Sequence, residues 1–114
     1  MSDGAPLPAI RRWTHATAVF RIGGASPSDG PWPASVMMNG RRLRVEVQWQ
    51  NRLISYMGAL DGGGVYRLRI DDPPSGTAAL KANDPDASSE LEGGWNKGGG
   101  NRGSWTVRLK APAR

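Results

Sequence analysis

The chain has 114 residues, a length that fits one domain, and at that size folding buries roughly two thirds of the surface that the unfolded chain exposes. Its 38% hydrophobic content leans on small alanines, so five tryptophans, two tyrosines and one phenylalanine supply much of the buried area. No cysteine is present, which excludes a disulfide framework, a thiolate metal site and a cysteine nucleophile; the net charge of +5 permits attraction to nucleic acid, anionic lipid or an acidic protein without choosing among them.

Residues 1–10, prolines and alanines around a lone leucine, read as a flexible N-terminal arm, which leaves 11–114 as a single domain. No apolar run has the length of a signal peptide or of a span of about 18 residues, and the expectation is a cytoplasmic protein without membrane contact. From Trp13 to Gly23, alternation puts Ala16, Ala18, Phe20 and Ile22 on one face and His15, Thr17, Val19 and Arg21 on the other, the period of a strand. Ala25 to Pro33 then reads as a turn-rich loop. Trp32, between two prolines, does not suit a central strand; it either plugs the core from the loop, the preferred reading, or stands exposed as a contact residue.

The strongest local signal is Asn39-Gly40, a pair that tolerates the positive φ angles of a tight hairpin turn. It predicts a turn that sets Val36 opposite Leu43, sends Leu43, Val45, Val47 and Trp49 inward, and leaves Arg42, Arg44, Glu46 and Gln48 outside. Gln50 to Arg52 turn the chain again, and either Ile54, Tyr56, Gly58 and Leu60 or the alternate set forms the next inward row, the former being preferred because it buries the larger side chains. After the glycine turn at 61–64, Tyr66, Leu68 and Ile70 alternate with Arg67, Arg69 and Asp71. Asp71-Asp72-Pro73-Pro74 ends that strand. A short strand from Thr77 to Lys81 follows, and the last hairpin, from Leu91 to Leu109, places Trp95 and Trp105 on either side of a glycine-rich tip.

No segment carries a helical stripe, so the expectation is an all-β fold: a small antiparallel up-and-down β-barrel of about 6–8 strands, with a two-sheet β-sandwich as the alternative. A meander of this length removes its exposed edges most simply by closing on itself. Tyr56-x-Gly58-x-Leu60, Gly93-Gly94-Trp95 and Gly103-Ser104-Trp105 resemble strand patterns in small antiparallel barrels such as the avidin and calycin groups. The resemblance implies a barrel shape, in which some members hold a small molecule, and carries over no functional residue.

Small inward residues beside large rings suggest an interior ligand site at Trp49, Tyr56, Tyr66, Trp95 and Trp105. Outward arginines Arg42, Arg44, Arg67, Arg69 and Arg108 suggest a second reading, nucleic-acid or other polyanion binding, although a solvated charged face accounts for them better, because the aromatics fall on the opposite parity, which counts against stacking. Lys97 and Arg102 around Gly98-Gly99-Gly100 lack the ending and the following helix of a phosphate loop. His15 is the only histidine, the aspartates cluster in turns, and no triad, metal cluster or cofactor fingerprint is found. The leading expectation is therefore a non-enzymatic binding module without a cofactor, for a small apolar or amphipathic molecule or a protein partner. A third reading is a self-assembling protein that pairs through an uncovered edge at the strand from Thr77.

Overall fold

The computed structural model describes residues 10–23, 28–72, 75–82, 90–98 and 102–109. Eight strands succeed one another: β1 (Ile10–Ile22), β2 (Asp29–Asn39), β3 (Arg42–Trp49), β4 (Arg52–Leu60), β5 (Val65–Asp71), β6 (Gly76–Ala82), β7 (Glu90–Asn96) and β8 (Arg102–Arg108). Each pairs antiparallel with its neighbours in sequence, and β8 closes onto β1 to complete a barrel. No helix occurs among the described residues. Eight strands leave an interior just wide enough for side chains to fill. The sandwich alternative is not adopted, and β6 is paired on both sides, so the strand from Thr77 is not the uncovered edge that self-assembly would need. The first nine residues of the expected arm lie outside the described residues, and Ile10 opens β1.

Strand alternation builds the core. Ala16 and Ala18 of β1, Val36 and Met38 of β2, Leu43, Val45 and Val47 of β3, and Leu68 and Ile70 of β5 are all buried. The turn between β2 and β3 differs from its expected register: Met38 faces Leu43, and Val36 faces Val45. The two central residues are Gly40 and Arg41, with Gly40 at a φ of 62°, the glycine-first pattern of a type II′ turn. The slip of one residue in each strand leaves the inward and outward sets unchanged.

Two irregularities of β1 and β2 are invisible to simple alternation. The register shifts between Trp13 and Ala16, so both point inward while Thr14 and His15 between them are exposed. This bulge buries Trp13, which strict alternation would have sent outside, to 1% exposure. A second shift, between the Ala18–Trp32 and Phe20–Asp29 pairs, sets Asp29 opposite Phe20. A Cβ at Gly30 there would lie 2.7 Å from the Ala18 carbonyl oxygen, so this bend requires a glycine.

Trp32 accordingly belongs to a strand and not to a loop, a correction with a simple cause. The β2–β3 ladder ends at Ala34–Val47, and beyond it β2 is paired only with β1, where prolines are tolerated. Trp32 packs half-buried against the core and meets Trp49 edge-on at 6.4 Å. Ile22, expected inside, ends β1 at 55% exposure because the barrel opens there.

The last hairpin closes the wall. Trp105 stacks on Phe20 with centroids 5.6 Å apart and packs against Tyr56 at 4.5 Å. Its indole N–H donates to the Ala79 carbonyl at 3.1 Å, within a stretch where the β6–β7 ladder is interrupted between the Ala78–Trp95 and Lys81–Glu92 pairs. Gly93, the ladder partner of Trp105, makes this reach possible, since a Cβ on it would sit 1.8 Å from that same oxygen. An inward glycine thus gives up side-chain packing so that a tryptophan can span two strands.

Candidate functional site at one barrel mouth

The inward rows end differently at the two openings. At the opening next to the β3–β4 and β7–β8 connections, alternation carries past the last core residues into polar ones: Ile70 inside, Asp71 outside, Asp72 inside; Trp95 inside, Asn96 outside, Lys97 inside. Together these rows line a cavity of about 210 Å³. Phe20 and Tyr56 lie at its base on the Trp105 ring, Ile54 and Ile70 form part of the wall, and Trp49, Trp95, Asp29, Asp72 and Lys97 stand around the opening.

Each polar group is held in place. The Trp49 indole donates to Asp29 at 3.0 Å, and the Trp95 indole donates to the Ser104 carbonyl at 3.1 Å. Asp72, buried to 9% exposure, accepts from the Lys97 ammonium at 2.8 Å and is in contact with the Arg52 guanidinium. The triad links β4 to the ends of β5 and β7. Desolvation, reinforced by the neighbouring Arg52 charge, lowers the pKa of Lys97 from the ordinary lysine value. Burial pushes the Tyr56 phenol up to about 12, so at neutral pH it is a hydrogen-bond donor. Its hydroxyl has no partner among the described residues, and neither has the buried Trp32 indole N–H.

Two carboxylates, Asp29 and Asp72, and the Lys97 ammonium line the opening, and the Arg52 guanidinium meets Asp72 beside it, so charges of both signs stand there. The opening offers aromatic walls, a free phenolic donor and fixed charges of both signs. Such a set can bind and orient a small molecule.

Of the residues expected from sequence to hold a ligand, Trp49, Tyr56 and Trp95 meet at this mouth. Trp105 lies one layer deeper, sealed at 2% exposure, and supports the cavity through its contacts with Tyr56 and Phe20. Tyr66 stands apart: it pairs with Leu60 and Leu80 toward the opposite opening. Asp29, Asp72 and Lys97 escaped the sequence reading because they looked like turn and tip residues. Extending the alternation by two positions beyond Ile70 and Trp95 would have found the latter pair.

The outward arginines also separate. Arg42, Arg44, Arg67 and Arg69 share one patch of wall on β3 and β5, whereas Arg108 lies on β8 and pairs with Glu90 at 3.4 Å. Comparisons with protein-family models, with curated proteins and with solved structures find no match.

Proposed function

We propose that the protein is a non-enzymatic binding module that takes one small amphipathic molecule, uncharged overall, in this mouth. The observation that carries the reading is the 210 Å³ cavity walled by Phe20, Tyr56, Trp49 and Trp95. An apolar cavity of about 150 Å³ holds a benzene, and drug-sized ligands need about 300 Å³ or more. The occupant is accordingly a molecule of one or two rings, its flat face against the indoles, an acceptor toward the Tyr56 hydroxyl and its polar end at the charged rim. Fixed charges of both signs at the rim favour a neutral or zwitterionic ligand, because a net ion would meet repelling as well as attracting groups.

A thermal-shift screen of one- and two-ring metabolites, read together with tryptophan emission, tests this. A ligand should raise the melting temperature and alter the emission of Trp49 and Trp95, and Trp49→Leu should weaken its binding by on the order of tenfold through lost ring contact. If no compound shifts either signal at millimolar concentration, the reading fails.

A further inference from the structure

We propose that the outer wall across β3, β4 and β5 binds one sugar–phosphate strand of a single-stranded nucleic acid. The register builds two basic banks: Arg42 faces Ala59, which faces Arg67, and Arg44 faces Met57, which faces Arg69. Arginines of β3 and β5 therefore flank a floor formed by Met57 and Ala59 of β4. The hollow between them measures about 730 Å³, and no carboxylate lines it. Arg44 is tethered by Glu46 at 2.9 Å and Arg67 by Asp61 at 3.0 Å. Arg42 and Arg69 have no ion-pair partner among the described residues, which leaves one unneutralised guanidinium on each bank.

The shape selects the partner. The banks are two strand spacings apart, about 10 Å between backbones, a width that takes one phosphate-bearing chain with guanidinium groups on either side. A bilayer presents a broad face and cannot enter a hollow between two arginine rows. Guanidinium groups grip phosphate oxygens through forked hydrogen bonds, and such contacts position a strand without reading its bases. No aromatic side chain lines the hollow, so stacking cannot add base preference.

Fluorescence anisotropy of a labelled oligothymidylate of about 12 nucleotides, titrated with the full chain at about 50 mM salt, tests the proposal. Two phosphate contacts, from Arg42 and Arg69, predict a slope of log affinity against log salt near −1.4, at about −0.7 for each contact. The double variant Arg42→Gln/Arg69→Gln should lose on the order of tenfold in affinity and flatten the slope by about 1.4. Arg108→Gln, on the far wall, should change neither, and unchanged melting curves for both variants exclude misfolding. Oligoadenylate should bind within about threefold of oligothymidylate. The proposal is overturned by an absence of binding, by an undiminished affinity of the double variant, by tighter binding to duplex, or by capture on phosphatidylserine vesicles without capture of the oligonucleotide.

Discussion

The two openings of the barrel are built from the same alternating strands, yet one is sealed and the other is not. At the sealed end Trp13, Met38, Leu43, Leu80 and Leu91 fill the bore, and the Arg11 guanidinium covers the Trp13 ring at 4.8 Å. The adjoining β4–β5 turn is knotted by Asp61, which accepts from the backbone N–H groups of Gly63 and Val65 and from Arg67. At the open end aromatic rings line a cavity, and an ion triad occupies the place where aliphatic side chains would close the bore. The lesson is one of division of labour: aliphatic interdigitation at one end stabilises the barrel, and the other end can keep unfilled volume and buried charge.

That contrast breaks most sharply on tryptophan. Trp13→Ala removes a fully buried ring and should cost about 4 kcal/mol in urea unfolding, while Trp95→Ala at the half-buried mouth should cost about 1 kcal/mol. Equal costs would mean that both ends are structural.

The next largest effect is in alkali. The native state holds the Tyr56 proton up to about pH 12, whereas the unfolded chain releases it near 10. The protonated form is the favoured native form, so this contribution is complete below pH 10 and is lost as pH climbs toward 12. It amounts to about 2–3 kcal/mol. The stability of the wild type minus that of Tyr56→Phe should fall by that amount between pH 9 and pH 12; a flat difference would show that the phenol sits in water.

Asp72→Asn, the smallest of the three, leaves Lys97 and Arg52 without their shared carboxylate. A fully buried pair broken on one side costs about 3–5 kcal/mol, but the Arg52 side chain is 51% exposed, and solvent reduces the expected loss to about 2 kcal/mol. Urea unfolding at neutral pH measures it. A stability unchanged by the substitution would assign the triad to ligand contact alone.

Much of the wall was legible in the chain, and the reasons are local. Asn39-Gly40 announced a hairpin, the alternation of Leu43, Val45 and Val47 gave a strand its inner face, and the parity survived even though the turn slipped by one residue on each side. Trp13 and Trp32 were not legible, since a bulge and the end of a neighbouring ladder, both properties of paired strands, decide where they point. The site was readable only in part. Trp49, Tyr56 and Trp95 followed from parity, but that they share one mouth, and that Tyr66 does not, depends on how far along the bore each row lies.

By itself, then, the sequence determined the class of fold, the inner and outer faces of the strands and the arginine-rich outer rows, because side-chain direction in a strand depends on neighbours one or two residues away. Closure decided the rest. It brought Asp72 and Lys97, 25 positions apart, into one ion pair, and divided Arg108 from the other four outward arginines. It also let Trp105 span Gly93 to reach the Ala79 carbonyl. These are contacts between distant segments, fixed by which strands adjoin around the barrel and at what height, and no local pattern in the chain encodes them.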